Sequence, residues 1–174
     1  IVSKGKTILV ADTNVQDFPS PERLVKVSKS CVRVARLFGF DPKVAFLSHS
    51  TFGKPISKNT KHVRDAIQIL KKGKVDFDFD GEMQPDVALN PIYQEIYPFS
   101  KIVGNANILI MPALHSAAIS TKLMKVFGGG KLIGPLLIGL GLPIEVAPLR
   151  ASTSEILNLA SIASYSSDVI DYSN

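Results

Sequence analysis

The chain has 174 residues, enough for one domain with a substantial core, and nearly half of them are apolar, which excludes general disorder. Tryptophan is absent, so the core must rest on Leu, Ile, Val and Phe. The net charge of +5 is carried by scattered lysines with no aromatic platform between them, which argues against a dedicated nucleic-acid surface and suits a phosphate-bearing small ligand.

In chain order, Lys6 to Val10 predicts a buried strand ending at the polar turn Ala11-Asp12-Thr13-Asn14. Ser20 as N-cap, Pro21 in the first turn and Glu22 beyond it predict a helix start. Leu24, Val27, Cys31, Val34, Ala35 and Phe38 then recur at helical spacing until Gly39. Cys31 lies among Val25, Val27, Val32 and Val34 and is expected to be a small buried residue; a lone thiol cannot staple a fold, so a reducing, cytoplasmic setting is expected. Lys43 to Ser48 is the next predicted strand, opening into His49-Ser50-Thr51-Phe52-Gly53-Lys54. Backbone amides, hydroxyls and a lysine at a strand end are what a phosphate or carboxylate needs, although the Walker spacing is missing. An ordinary polar turn is the other reading, and His49, isolated in sequence, reads as a surface or supporting residue.

Thr60 to Lys72 predicts a second helix, with Val63, Ala66, Ile67 and Leu70 on its apolar face. Val75-Asp76-Phe77-Asp78-Phe79 alternates with a period of two and predicts a strand that Asp80-Gly81 ends. Asp80, Glu82, Gln84 and Asp86 would then crowd one strand-to-helix turn, at the sheet edge where α/β proteins build their crevices. Either those groups face a ligand, or Asp86 caps the helix Val87-Ala88-Leu89 and the rest are solvated. No histidine is near, so no metal site is expected. Asp86 to about Ile96 is helical in two pieces around Pro91, and Asn107 to Pro112, without alternation, predicts a strand buried on both faces. A helix from Ala113 to Phe127 ends at Gly128-Gly129-Gly130. Ile133 to Leu140 and Pro143 to Ala147 predict two further strands, Ser152 and Glu155 a capping box for the helix Ile156 to Ala163, and Ser164 to Asn174 a fraying tail. The run Leu132 to Leu142 is too short, and too interrupted by Gly134, Pro135, Gly139 and Gly141, to span a bilayer. Alternation of strands and helices predicts an α/β fold with a largely parallel sheet. The start at Ile1 is what a segment of a longer protein would have, and no basic-then-apolar leader is visible.

Four stretches in register resemble the phosphotransacetylase family: Phe46 to Gly53, Asp80 to Leu89, Ile110-Met111-Pro112 with its helix, and Gly128-Gly129-Gly130 leading to Ile133-Gly134-Pro135-Leu136-Leu137-Ile138-Gly139. The Asp-Gly-Glu-Met-Gln wording and the triple glycine are closer to the phosphotransacetylase-like C-terminal domain of large bacterial NADP-dependent malic enzymes. The resemblance implies a three-layer α/β/α architecture like the second lobe of the phosphotransacetylase and isocitrate-dehydrogenase-like fold. Residues 1–147 would form that lobe, and 148–174 a C-terminal helix and tail returning toward a first lobe.

True phosphotransacetylases move an acetyl group between coenzyme A and phosphate. They carry a Ser-Arg-Gly segment near the end of the domain and an Asp in the next helix. Counting without a gap from Gly134-Pro135 to Asn158 puts Pro148, Leu149 and Arg150 at the first three positions and Glu155 at the acidic one. A proline supplies no hydroxyl and a leucine neutralises no phosphate. The Asn-rich stretch of the transacetylases is replaced by His115, Ser116, Ala117 and Ala118. The resemblance therefore implies a domain that senses acetyl-CoA or a related acyl-CoA and helps build a homo-oligomer, with no catalytic residue of its own. Its expected ligand-binding residues are Ser48, Ser50, Thr51, Lys54, Asp80, Glu82, Gln84, His115, Ser116, Arg150 and Glu155. Oxidation of malate to pyruvate and carbon dioxide, with NADP and a divalent metal, would belong to catalytic domains elsewhere in the parent chain; no G-x-G-x-x-G follows a strand here. Two alternatives stay open: a working acyltransferase in which Arg150 and Glu155 substitute for the missing pair, and a purely structural oligomerisation domain using the apolar stretch Leu132 to Val146. Neither nucleic acid nor membrane is an expected partner.

Overall fold

The computed structural model describes residues 1–3, 5–11, 16–128, 131–140 and 142–169. A two-stranded antiparallel ribbon, β1 (Val2–Ser3) and β2 (Lys6–Thr7), precedes a four-stranded sheet of β3 (Leu9–Ala11), β4 (Lys43–Leu47), β5 (Asp78–Met83) and β6 (Ile108–Ile110). Every pairing in the larger sheet is parallel, in the order β3-β6-β4-β5. The helices are α1 (Pro21–Leu37), α2 (Lys61–Lys72), α3 (Pro85–Leu89), α4 (Leu114–Phe127) and α5 (Thr153–Val169). The mixed α/β architecture with a parallel sheet is thus the one expected.

Strand alternation sorts the core into two layers. Val44, Phe46, Ile108 and Ile110 point to one face, where α1 contributes Leu24, Val25, Cys31, Val32 and Ala35, and α2 contributes Val63, Ala66, Ile67 and Leu70. Ala45, Leu47, Leu109 and Met111 point to the other, covered by Ala88 of α3, Ile102 and Ala106 of the following loop, and Ala117 of α4. Because β4 and β6 are apolar on both faces, they read as continuous runs rather than alternating ones. Phe46 is fully buried, and removing such a side chain from water contributes roughly 1.5–3 kcal/mol.

The helix starts follow from their caps. Ser20 Oγ accepts from Arg23 N at 3.2 Å with proline in the first turn of α1. Ser152 and Glu155 form the expected reciprocal pair: Ser152 N donates to Glu155 Oε2 at 2.7 Å and Glu155 N donates to Ser152 Oγ at 3.3 Å.

Several expectations are corrected. The run from Lys6 is split between β2 and β3, which belong to different sheets. β5 begins at Asp78 and continues through Asp80-Gly81-Glu82 to Met83, so the Asp-Gly step lies inside the strand. Asp86 is not the cap of α3; Gln84 holds that position, and Asp86 Oδ1 accepts from its neighbour Val87 N at 3.0 Å. Segments 133–140 and 143–147 are not strands and share one antiparallel bridge, Leu136 with Glu145, because Gly134, Pro135, Gly139 and Pro143 interrupt the ladder. Helix α5 starts at Thr153 and runs on to Val169, well past Ala163. Asp12, Thr13 and Asn14 of the predicted turn, Gly129 and Gly130 of the triple glycine, and residues 170–174 of the predicted tail lie outside the described residues.

Candidate ligand site

The carboxyl edge of the sheet is organised by a bulge. Phe46 pairs with Gly81 while Leu47 pairs with Met83, so Glu82 is the extra residue of β5. Gly81 makes this possible. Its φ is +142°, and a Cβ there would stand 2.7 Å from Phe46 O and 3.1 Å from Phe46 Cβ. The bulge turns Glu82 inward, where the side chain is 1% exposed.

Burial of that carboxylate is compensated by partners distant in sequence. Glu82 Oε1 accepts from Gly53 N at 2.9 Å and Ser50 Oγ at 3.0 Å. Ser50 has one hydroxyl proton and gives it to Glu82, so across the 3.1 Å Ser48–Ser50 contact Ser48 is the donor. Arg64, from the first turns of α2, brings Nη1 to 3.5 Å from Glu82 Oε1 and is itself held by Ser57 O at 2.8 Å and by Thr60 Oγ1. The loop is fastened to the strand at two more points. Gln84 N donates to Thr51 Oγ1 at 3.2 Å, and Gln84 Nε2 to His49 O at 2.7 Å. Asp80 is buried separately, with Oδ1 accepting from Gly81 N and Oδ2 from Lys101 N.

Ser48, Ser50, Thr51, Glu82 and Gln84 are therefore brought together, with most of their polar atoms taken up by one another and by the backbone, whereas Asp80 stands apart on backbone amides of its own. Lys54 and His49 remain exposed on the outside of the same loop. His115 is exposed on the first turn of α4, and Ser116 Oγ donates back to Ala113 O at 2.9 Å. A neighbouring anchor is His62 of α2, whose Nε2 donates to Pro112 O at 2.8 Å; it ties α2 to the loop that launches α4. Arg64 and His62 were not anticipated from sequence. Both lie in the first turns of α2, at the sheet edge where the candidate loops converge, and that position was the available signal.

Arg150 and Glu155 belong to a second group. Arg150 is exposed in the turn closed by Ala151 N and Pro148 O. Glu155 lines a shallow pocket with Leu132, Ile133, Gly134, Pro148, Asn158 and Leu159. Its carboxylate is already engaged: Oε2 accepts from the Ser152 amide and hydroxyl, and Oε1 lies 3.9 Å from Lys125 Nζ of α4. The Ser152 amide bond above all, then its hydroxyl and the nearby lysines, hold this carboxyl below the usual range, keeping it ionised. Among the described residues no group of three or more His, Cys, Asp or Glu side chains is arranged to hold a metal ion, and no helix is long and apolar enough to cross a membrane.

The profile of the family described as "Phosphate acetyl/butaryl transferase" matches residues 1–164. An NADP-dependent malic enzyme of Rhizobium meliloti is 47% identical over 162 residues, 93% of this chain and 21% of that protein. A phosphate acetyltransferase of Bacillus subtilis is 32% identical over 164 residues, 93% of this chain and 51% of that protein. A solved phosphotransacetylase from Streptococcus pyogenes superposes with a TM-score of 0.89 at 30% identity, covering 96% of this chain and 52% of that one. The chain thus spans about a fifth of the malic enzyme and about half of each transferase. Fold, motif register and profile agree: the chain belongs to the phosphate acetyl/butaryl transferase family.

Proposed function

We propose that the chain is the phosphotransacetylase-like domain of an NADP-dependent malic enzyme, that it binds acetyl-CoA as an effector, and that it performs no acetyl transfer. Malate oxidation would take place in other domains of the same protein, with their own NADP and divalent metal. This domain would favour one assembly state of a homo-oligomer over another when the effector binds. A cytoplasmic setting accords with that role.

The observation that carries the reading is the state of Glu155. The residue standing where the transferases carry their acidic group is fixed by the Ser152 cap and faced by Lys125, and its carboxyl is held ionised. A carboxylate whose Oε2 already accepts two hydrogen bonds and whose proton affinity is lowered is a weak general base. Pro148 offers no hydroxyl beside it, and Leu149 is fully exposed. The higher identity to a malic enzyme than to a transferase supports the same choice. Exposed apolar side chains on α4 (Leu123, Val126, Phe127) and in the following segment (Leu142, Ile144, Val146) suit a surface covered in an oligomer or by neighbouring domains.

Calorimetric titration with acetyl-CoA, with coenzyme A and phosphate as controls, tests the binding. An assay for acetyl phosphate from acetyl-CoA and phosphate tests the absence of transfer. Saturable binding without product is expected. Acetyl phosphate formation would establish the working acyltransferase instead, and failure to bind any of the three would leave a structural role.

A further inference from the structure

We infer that the outer face of α1 and α2 docks ionically against an acidic surface of the same protein outside residues 1–174. The inference rests on the reading of the chain as one domain of a malic enzyme and adds to it the face that engages the catalytic domains. α1 and α2 lie side by side on one face of the sheet. Together they hold nine Lys and Arg against two acids, a net of +7 where the whole chain carries +5. Lysines that look scattered in sequence are thus gathered into one layer, and the remainder of the chain is net negative. On α1, Lys26, Lys29, Arg33 and Arg36 recur at i, i+3, i+7 and i+10, a stripe about 15 Å long on one exposed helix face. Arg36 is paired with Asp76. Among the described residues, Lys26, Lys29 and Arg33, with Lys71 and Lys72 at the end of α2, have no acidic partner.

Charge is nearly all this face has to offer. Ile69 is the one large apolar side chain exposed on α1 and α2 among the described residues, and the exposed apolar residues of α4 lie on the opposite side of the sheet. Exposed ion pairs are individually weak, so a face without an apolar anchor would hold a freely diffusing protein poorly. A covalently tethered surface is different, because it is present at about millimolar effective concentration. The matched segment makes up 21% of the malic enzyme that is 47% identical, so on that reading a tethered surface is at hand. The stripe also tells a protein from a nucleic acid. Glu22 stands one turn before Lys26, and Asp76 beside Arg36, so negative charge brackets the stripe at both ends. A protein surface can match that alternation, whereas a uniformly negative polymer is repelled by it. Neither helix contains a Phe, Tyr or Trp on which a base could stack.

The test is carbodiimide cross-linking of the full-length protein, which joins a lysine amine only to a carboxylate in direct contact. Lys26, Lys29, Lys71 or Lys72 should be joined to Asp or Glu residues outside residues 1–174. The yield should fall at least about fivefold when sodium chloride is raised from about 50 to about 500 mM. In a variant combining Lys26→Glu, Lys29→Glu and Arg33→Glu, the cross-links from Lys71 and Lys72 should disappear as well, because the face no longer docks. Cross-links of the unaltered protein confined to carboxylates within residues 1–174 would overturn the inference, whatever the variant does. So would a short DNA duplex that binds at physiological salt and suppresses the cross-links, since the face would then belong to nucleic acid. Malate-dependent reduction of NADP by the same preparation separates the two readings. Its absence would overturn the malic-enzyme reading, while cross-links beyond residues 1–174 would still uphold the docked face.

Discussion

Replacing Arg64 by alanine removes the cation that faces the buried Glu82 carboxylate. Breaking a buried pair from one side costs about 3–5 kcal/mol, because the remaining charge is stranded. Here the stranding is partial. Glu82 keeps the Ser50 hydroxyl and the Gly53 amide, Arg64 is 29% exposed, and the two side chains meet at 3.5 Å rather than at close contact. The loss of Arg64's bonds to Ser57 O and Thr60 Oγ1 acts in the other direction. The expected cost is roughly 2–3 kcal/mol in urea unfolding, which for a chain of this size lowers Tm by about 5–10 °C. Glu82→Gln keeps an acceptor for Ser50 and Gly53 while abolishing the charge. On that background Arg64→Ala should cost about 1 kcal/mol, the difference being the coupling between the two residues. An Arg64→Ala variant within about 0.5 kcal/mol of the parent, or one equally damaging with and without the Glu82 charge, would refute the view that Arg64 neutralises Glu82.

Three further outcomes follow from individual contacts. Gly81→Ala should destabilise by about 3 kcal/mol or more, through its positive φ and the 2.7 Å approach to Phe46 O; a Tm within about 2 °C of the parent would contradict this. Burial raises the carboxyl of Glu145 above its usual value of 4.5, so ionisation in the fold is disfavoured and stability falls as pH rises through the folded value. Glu145→Gln should therefore gain on the parent at neutral pH and lose that gain below about pH 4, and thermal melts at a series of pH values would decide it. For Glu155 the sign is reversed: the Ser152 bonds depress its carboxyl, so their contribution is present above 4.5 and lost as pH falls through the folded value. The Tm gap between the parent and Glu155→Gln should accordingly narrow in acid, and a gap independent of pH would exclude the charged carboxylate as the capping partner.

Local rules sufficed where the structure obeys local forces. Helix α1 could be located from Ser20, Pro21 and its apolar spacing, α2 from Val63, Ala66, Ile67 and Leu70, and β4 and β6 from uninterrupted apolar runs. The family motifs led to the right architecture for the same reason: they mark the turns that the fold requires. The position of β5 escaped because its interior holds Asp80, Gly81 and Glu82, which in sequence read as a strand break. What internalises Glu82 is supplied from 32 and 29 residues away by Ser50 and Gly53 and from 18 away by Arg64, and no local pattern carries that information. The segment 133–147 failed in the opposite sense. Its apolar residues promise strands, but its glycines and prolines prevent a ladder, and Leu142, Ile144 and Val146 stay exposed.

The two halves of the candidate site then divide the work differently from what the sequence suggested. The polar cluster around Glu82 spends its hydrogen-bonding capacity on itself, which makes it a brace for the loop that presents His49 and Lys54. The pocket beside α5 has the reverse character, apolar walls around one unsatisfied donor and a carboxylate already occupied. A transferase must stabilise charge that develops only in the transition state, and that requires a hydroxyl, a cation or a free acid aimed at the reacting atoms. At this corner Pro148 and Leu149 supply none of these and Glu155 is engaged by Ser152, but Lys125 and Lys131 place cations beside it, so the acetyl phosphate assay is what decides between sensing and transfer.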